Sequence, residues 1–376
     1  MSGKKHILMV TGDSGIAWGK QNIFYEMLRE FSKYFATVHV ITGSNNVGLP
    51  FIIHENVHIH PSNRTRIGRW DFWSHSDFVR KRAREINERF PLAAVISHVI
   101  PPFFPGTHGG MRASADLKIP HFAEVMHIPG YPKAHGSLEA WERWAMGRFL
   151  KRHNKDFDWV RIINEAELRP YLKGLGVPKK KLLYVPAFYL DFDTFKPRKI
   201  AKKQQFVYAG RFETNKNIFA LLDAFRAVAA DYPEVKLVMI GDGSLREKVE
   251  RERSERVEIL GWLPTLKDVA KVYNESLALV MPSLSEGGPR VTLEAMACET
   301  LVLSTPVGIM KSVIKDGKNC LQIEWSAKEI EEKMRWVLEH PREVKKICRA
   351  GRESVQMFEY HEALGNYAKT YLKLIK

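Results

Sequence analysis

Short apolar runs alternate with longer amphipathic segments along almost the whole chain. Each run is a few residues long and rich in Val, Ile and Leu, which is typical of strands buried on both faces. The segments between the runs repeat apolar positions every three or four residues, which indicates helices. This alternation predicts an α/β protein with parallel sheets covered by helices. The runs lie at 6–11, 37–41, 93–97, 122–126, 160–163, 182–185, 206–209, 236–240, 257–260, 277–280, 301–304 and 320–323.

The chain divides near a proline-bounded stretch from Pro186 to Pro197. Its 376 residues are long for one domain and comfortable for two. We therefore predict one α/β domain over residues 1–187 and a second over 188–357. The remaining segment, 358–376, places apolar and aromatic residues at helical spacing and predicts a final helix. Those residues are Tyr360, Leu364, Tyr367, Tyr371 and Leu374.

Composition narrows the class of protein. The hydrophobic share of 45% is enough for two cores, and no apolar stretch approaches the length of a membrane span. The first residues do not fit a signal peptide, because their apolar run is short and leads directly into a Gly-rich loop. The three cysteines show neither metal nor redox spacing. We therefore expect a reducing, cytoplasmic setting without disulfides.

The net charge of +15 is distributed unevenly. Residues 1–190 hold 27 Lys and Arg against 16 Asp and Glu, whereas residues 191–376 hold 31 against 27. A basic first half fits three kinds of partner, namely an anionic nucleotide-sugar, an anionic membrane surface or nucleic acid. No recognised nucleic-acid module accompanies the charge, so nucleic acid is not expected as a partner.

The stretch 283–297 combines a Gly/Pro turn with two carboxylates. It follows the apolar run 277–281 and opens an apolar-periodic helix, so Glu286 lies in the turn and Glu294 near the start of the helix. N–H groups at such a turn and helix start attract anions and hydroxyl-rich ligands. The carboxylates would accept hydrogen bonds from sugar hydroxyls, although Glu294 alone could also be explained by the helix macrodipole.

A second segment has the layout of a diphosphate clamp. Gly210 follows a predicted strand and allows a sharp turn. Arg211 offers a planar fork for phosphate, and Lys216 supplies a point charge near the start of the next helix.

The first loop, residues 11–21, contains Gly12, Gly15 and Gly19 directly after the first strand. Its glycines suit the close backbone approach that a diphosphate or sugar needs, but a plain tight turn explains them as well. The loop is not Gly-x-Gly-x-x-Gly and lacks the Gly-Lys-Ser/Thr ending of a P-loop.

Two Glu with seven residues between them, in this setting, resemble the donor-binding motif of the retaining glycosyltransferases of family 4, the glycosyl transferases group 1. The same family carries a Gly-Arg…Lys pair like the one above. Residues 185–197 are similar to its hinge and residues 259–264 to its base-side loop. Phe188 and Tyr189 replace the usual Asn-Gly of the hinge. The matches together span 185–325 in order, which makes a chance match improbable.

The resemblance implies the GT-B fold, in which two doubly wound Rossmann-like domains face a cleft. Residues 1–187 would form the acceptor side and residues 188–357 would bind the nucleotide-sugar donor. The helix over 358–376 would cross back to the first domain. The resemblance also implies a retaining hexosyltransferase that uses a UDP-, GDP- or ADP-sugar, needs no metal or other cofactor, and glycosylates a hydroxyl of a glycan or lipid-linked acceptor.

The resemblance implies catalytic roles for Arg211, Lys216, Glu286 and His127. Arg211 and Lys216 would stabilise charge on the leaving phosphate, and Glu286 would contact the donor sugar. His127 ends a predicted strand facing that sugar, although Ile128 stands where the family typically has Asp. Glu294 would accept hydrogen bonds from the ribose. The implied donor-binding set is Gly12, Gly15, Gly19, Gly210, Trp262, Gly287, Gly288, Pro289, Arg290, Val291 and Glu294.

Several alternatives stay open. Trp262 could border the base or cover the core, and His98, at the end of another strand, could be structural. The same fold could carry a sugar-nucleotide epimerase or a phosphorylase, and a basic membrane-binding or nucleic-acid-binding protein is a different class. Two aromatic-basic segments, 64–73 and 141–150, suit a peripheral membrane contact, but core packing is the favoured explanation for both.

Overall fold

The computed structural model describes residues 4–45, 48–62, 71–101 and 104–375. Contacts between Cα atoms divide the chain into two compact units. The first unit comprises Met1–Ile128, Trp141–Ala187 and His361–Lys376, and the second comprises Pro129–Ala140 and Phe188–Tyr360. The sequence pattern did not indicate that Pro129–Ala140 would pack with the second unit.

An eight-stranded sheet forms the centre of the first unit, in the order β3-β4-β2-β1-β5-β6-β7-β8. Its strands are β1 (His6–Val10), β2 (Thr37–Ser44), β3 (Phe51–Ile53), β4 (Val57–Ser62), β5 (Leu92–His98), β6 (His121–Val125), β7 (Trp159–Ile162) and β8 (Leu182–Tyr184). All neighbouring strands run parallel except β3 and β4, which pair antiparallel. The helices along this part of the chain are α1 (Ile23–Phe31), α2 (Asp71–Arg89), α3 (Phe104–Leu117), α4 (Ser137–His153) and α5 (Leu168–Gly174).

The second unit is built on a parallel six-stranded sheet in the order β11-β10-β9-β12-β13-β14. The strands are β9 (Gln205–Ala209), β10 (Lys236–Ile240), β11 (Val257–Gly261), β12 (Ala278–Met281), β13 (Leu301–Ser304) and β14 (Leu321–Gln322). The helices are α6 (Ile218–Asp231), α7 (Arg246–Glu250), α8 (Leu266–Glu275), α9 (Arg290–Ala297), α10 (Met310–Val313), α11 (Ala327–Glu339) and α12 (Pro341–Ser354). Every strand predicted from the sequence is present, and the predicted α/β class is confirmed.

Polar side chains fix where several helices begin. Asn22 caps α1 by accepting a hydrogen bond from the Tyr25 N–H at 3.0 Å. Thr265 and Asp268 form a reciprocal capping box at α8. These capping residues are readable in the sequence, and each lies where its helix begins.

The final helix, α13 (Tyr360–Leu374), contributes two tyrosines to a buried charge network in the first unit. Glu124 and Arg161 lie on neighbouring strands with their charged groups 3.2 Å apart, and both are fully buried. The hydroxyls of Tyr367 and Tyr371 donate to the Glu124 carboxylate. Burial alone would raise the pKa of Glu124, but the charge of Arg161 and the hydrogen bond with His98 lower it to about 2. The network stabilises the packing of α13 on the first sheet.

The exposed aromatics correct one expectation. Core packing was favoured for the segment 141–150, yet Trp141 is 57% exposed and Trp144 is 59% exposed. Residues 64–70 of the other aromatic-basic segment lie outside the described residues, and Trp73 at its end is 63% exposed. In the described ranges, no helix has both the length and the apolar character needed to cross a bilayer.

Candidate active site

The strand order of the second unit reverses between β9 and β12. From β9 the chain proceeds through β10 to β11 on one side and then returns to β12 on the other side of β9. Ligands of doubly wound sheets bind at such a reversal, outside the carboxyl ends of the strands. The segments that leave β9 and β12 at this edge are 210–216 and 282–289, which contain seven of the fifteen predicted site residues.

Gly210 lets the chain turn as it leaves β9. Its φ of +152° is a conformation that favours glycine. The chain then forms a short 3₁₀ turn, Thr214–Lys216, before α6 begins. The Arg211 side chain is exposed and forms no ion pair with any residue that the structure describes. Lys216, by contrast, is only 7% exposed. One predicted phosphate ligand is therefore accessible, and the other is held inside the site.

Lys216 forms an ion pair with Glu286, which is 70 residues away in sequence. The Ser283 hydroxyl donates to the same Glu286 oxygen at 3.0 Å. The structure thus brings together two of the four predicted catalytic residues, one from the β9 loop and one from the β12 loop. The pair joins a cation suited to phosphate with a carboxylate suited to sugar hydroxyls.

The Lys216–Glu286 pair predicts coupled effects on stability. Lys216→Met and Glu286→Gln should each lower the free energy of unfolding by about 3 kcal/mol, because each leaves a largely buried charge without its partner. The double variant should lose clearly less than the sum of the two losses. Urea denaturation of the four proteins measures this coupling. Additive losses would show that the two side chains do not interact.

Gly288 is in close contact with the hinge residue Phe188. A Cβ atom at position 288 would lie 2.1 Å from Cζ of the Phe188 ring. Only glycine fits here, because that separation is far below van der Waals contact. The departure from the family's Asn-Gly hinge therefore has a structural consequence: Phe188 packs directly on the Gly287-Gly288 turn.

The second unusual hinge residue, Tyr189, stacks on Arg290. The Arg290 guanidinium carbon lies 4.7 Å from the centre of the Tyr189 ring. Arg290 also pairs with Glu294 one helical turn further along α9, at 2.9 Å. Glu294 is buried, and this burial raises the pKa of its carboxyl although Arg290 opposes the effect. Tyr189 and Glu294 thus hold the Arg290 side chain at the start of α9. The neighbours of Arg290 in sequence are Pro289 and the half-buried Val291.

Trp262 lies just beyond the carboxyl end of β11, at the same edge of the sheet. It is 59% exposed, so the alternative that it covers the core is wrong. Its predicted contact with the base stays a prediction.

The other predicted site residues lie in the first unit. Gly12, Gly15 and Gly19 belong to the loop after β1, where the Gly15 N–H donates to the Asp13 carboxylate at 2.7 Å. His127 is half-buried and lies two residues beyond the end of β6. These four positions follow the carboxyl ends of their strands, as predicted.

His98 is a buried histidine of the first unit. Its Nδ1 lies 2.9 Å from the Thr11 hydroxyl, and its Nε2 lies 3.1 Å from the Glu124 carboxylate. Both ring nitrogens therefore contact buried groups, which supports the structural alternative. The same contacts join the start of the first loop to the buried charge network.

The segment Pro129–Ala140 adds contacts that the sequence did not predict. Pro132 forms an antiparallel bridge with Ser285 in the β12 loop. The Lys133 ammonium lies 5.1 Å from the centre of the Trp325 ring. The Pro-Gly-Tyr-Pro turn after His127 was the available signal, but it gives no indication of which loop the segment contacts.

Neither a metal cluster nor a groove in the first unit gives a reason to place the site elsewhere. Among the described residues, no group of three His, Cys, Asp or Glu side chains is placed to hold a metal ion. A groove in the first unit includes Leu92, Pro120 and Trp159 in its wall. These residues lie at the amino ends of β5, β6 and β7, whereas the predicted site lies at the carboxyl ends.

Comparison with known proteins agrees with the geometry. Residues 191–354 match the sequence model of the glycosyl transferases group 1. An uncharacterized glycosyltransferase of Methanocaldococcus jannaschii is 28% identical over 173 residues, which cover 45% of this chain and 48% of that protein. A Campylobacter jejuni α-1,4-N-acetyl-D-galactosaminyltransferase acting on an undecaprenol-linked saccharide is 27% identical over 50% of this chain and 52% of its own. The chain spans about half the length of the curated relatives it matches.

Solved structures share the fold over nearly the full length. Sucrose-phosphate synthase from Thermosynechococcus elongatus superposes with a TM-score of 0.81 at 18% identity, covering 99% of both chains. Anabaena HepE in complex with UDP and glucose has a TM-score of 0.72 at 16% identity, covering 98% of this chain and 100% of its own. Both the predicted fold and the family resemblance are confirmed. Residues 191–354 are thus similar to the glycosyl transferases group 1, and the chain has the GT-B fold.

Proposed function

We propose that the protein is a retaining hexosyltransferase that moves a sugar from a nucleotide-sugar to an acceptor hydroxyl. The observation that carries the proposal is the arrangement at the β9–β12 reversal. There, an exposed Arg211 and the buried Lys216–Glu286 pair follow two adjacent strands. The match of residues 191–354 to the glycosyl transferases group 1 supports the same activity.

In the proposed reaction, the bond between the anomeric carbon and the donor phosphate breaks, and the nucleoside diphosphate leaves with the electron pair. The acceptor oxygen attacks from the same face and passes its proton to a phosphate oxygen. Arg211 and Lys216 stabilise the negative charge that grows on the leaving phosphate. This charge stabilisation is what a divalent metal supplies in other transferases, so we propose that the reaction proceeds without one.

The remaining residues bind and orient the donor in this proposal. Glu286 accepts hydrogen bonds from sugar hydroxyls while its ion pair with Lys216 holds it in place. Glu294 accepts from the ribose, Trp262 borders the base, and the Gly287-Gly288 turn approaches sugar and phosphate. We also propose donor-binding roles for Gly12, Gly15 and Gly19 and a catalytic role for His127.

The proposed donor is a UDP-, GDP- or ADP-sugar, and the proposed acceptor is a glycan or a lipid-linked saccharide. We propose a cytoplasmic location, at the inner face of the membrane when the acceptor is lipid-linked. The three cysteines support a reducing setting, since all are buried and unpaired.

The test is to incubate the purified protein with each nucleotide-sugar, with and without EDTA. Release of nucleoside diphosphate and the anomeric configuration of the sugar product are then followed by NMR. We expect one donor to be consumed, EDTA to have no effect, and the configuration to be retained. An inverted product would contradict the retaining mechanism, and acceptor-independent conversion of the donor to an epimer would favour the epimerase alternative.

A further inference from the structure

We propose that one face of α4 is a membrane-docking surface that binds anionic phospholipid bilayers. This α4 face consists of Trp141, Trp144, Arg148, Lys151 and Arg152, all of which are exposed. The inference goes beyond the sugar-transfer reaction and does not depend on it.

The five residues share one side of the helix. At about 100° per residue, they fall within an arc of roughly 100°. The buried residues Met146 and Leu150 lie on the opposite side of the helix, and the buried Gly147 lies outside the arc. Packing against the first unit therefore leaves the α4 face directed to solvent as a continuous strip.

The amino-terminal half of the α4 face is aromatic. Trp141 and Trp144 each expose more than half of their surface to solvent, so packing in the protein core does not account for them. Indole side chains are enriched where a hydrocarbon layer meets water, because the ring is apolar and its N–H is polar. The Arg148 guanidinium lies 5.2 Å from the Trp144 ring centre and joins this half to the basic half.

The carboxyl-terminal half of the α4 face is basic. Arg148, Lys151 and Arg152 form no ion pair with any residue in the part of the chain that the structure describes. The two acidic residues of α4, Glu139 and Glu142, are half-buried and lie outside the arc. A face with three cations and no carboxylate complements an anionic surface, and each such cation contributes roughly 1 kcal/mol of attraction.

A third exposed aromatic, Trp73, lies near the carboxyl end of α4 but off the α4 face. The Trp73 ring centre is 5.2 Å from that of His108, which is 6.0 Å from that of His153 at the end of α4. Trp73 is 63% exposed. Trp73 is therefore not part of the α4 face, and the inference depends on Trp141 and Trp144.

A bilayer fits the α4 face better than a glycan does. Sugar sites combine an aromatic ring with Asp, Asn or similar groups that hydrogen-bond hydroxyls, and none of these residues lies on this face. Exposed indoles together with cations instead complement the surface of an anionic bilayer, because indoles favour the headgroup region and cations are attracted to the lipid charge.

Flotation with lipid vesicles tests the inference. We expect the protein to float with vesicles of phosphatidylcholine mixed with phosphatidylglycerol, to stay unbound with phosphatidylcholine alone, and to be released by salt. The variant Arg148→Gln/Lys151→Gln/Arg152→Gln should bind about 100-fold more weakly, from three lost attractions of roughly 1 kcal/mol each. Trp141→Ala/Trp144→Ala should also lose binding, and brominated lipid should quench Trp fluorescence less in this variant than in the wild type.

A matched control removes the same charge elsewhere. Lys345→Gln/Lys346→Gln/Arg349→Gln changes three exposed basic residues of α12 and should bind vesicles like the wild type. All variants should release nucleoside diphosphate from the donor at the wild-type rate in the absence of vesicles, which separates this inference from the proposed reaction. Equal weakening by the α4 and α12 variants, or no binding to either kind of vesicle, would overturn it. Retention of heparin without vesicles, lost in the Trp variant, would instead identify a glycan-binding face.

Discussion

Arg211→Ala is expected to lower kcat/KM for donor turnover by about 10²–10³-fold, the usual effect of removing one preorganised donor from a developing anion. The Arg211 side chain is exposed and forms no ion pair within the described residues, so the free energy of unfolding should not change. Rates of nucleoside diphosphate release, together with urea denaturation, measure both quantities.

Two further variants sharpen this expectation. Arg211→Lys keeps the charge but loses the planar fork, and it should restore only part of the activity. Arg349→Ala removes an equally exposed arginine from α12 and should leave kcat/KM unchanged. Near-normal turnover by Arg211→Ala would show that this residue does not contact the leaving phosphate.

The first unit is expected to unfold near pH 5, well before most carboxylates titrate. Burial lowers the pKa of His39 to about 3 and that of His121 to about 3. Burial, together with the charge of Arg82, lowers the pKa of His60 to about 4. In the unfolded chain these rings take up protons near pH 6.5. Stability is therefore present above pH 6.5 and is lost as the pH falls toward these lowered values.

The loss of stability can be calculated from the three protons that His39, His60 and His121 take up on unfolding. Below about pH 5.5 the slope approaches roughly 4 kcal/mol per pH unit, so roughly 6 kcal/mol is lost between pH 7.5 and pH 5. That is comparable with the whole stability of a typical domain, about 5–15 kcal/mol. In the second unit, the raised pKa of Glu294 has the opposite effect on stability. The buried carboxylate is unfavourable when ionised at neutral pH, so its protonation at lower pH stabilises the fold. Calorimetry at pH 5 should therefore show the first unit melting ahead of the second.

Histidine variants test whether these buried rings cause the loss of stability at low pH. His39 Nδ1 and His60 Nε2 lie 3.2 Å apart, so His39→Leu/His60→Leu replaces both partners of this contact. The double variant should lose about two of the three protons from the slope. An unchanged slope in the double variant would contradict the assignment to these rings.

The sequence predicted most strands because both faces of a parallel strand are buried, which gives each one an unbroken apolar run. It missed β3 and β4, the antiparallel pair at the edge of the first sheet. In β4, His58, His60 and Pro61 interrupt the apolar pattern, although Val57 and Ile59 keep the period of two that could have revealed it.

The candidate site was predictable in residue type but only partly in geometry. Local motifs identified Lys216 and Glu286 separately, whereas their ion pair depends on β9 and β12 being neighbours. Helical spacing grouped Trp141 with Trp144, but the same spacing suits a buried face and an exposed face equally. The spacing could not decide between them, and the expectation of core packing was wrong. The packing of Pro129–Ala140 with the second unit has no local signal.

The most direct test of the nucleotide-sugar site is the thermal stability of the purified protein with UDP, GDP, ADP and their sugar conjugates, with and without EDTA. At about a hundred times its dissociation constant, the true ligand should add about 2.7 kcal/mol. We predict a shift that is selective for one base, survives EDTA and is reduced in Arg211→Ala. The absence of a shift with every nucleotide, or a shift that is the same in Arg211→Ala, would contradict a diphosphate site at the β9–β12 reversal.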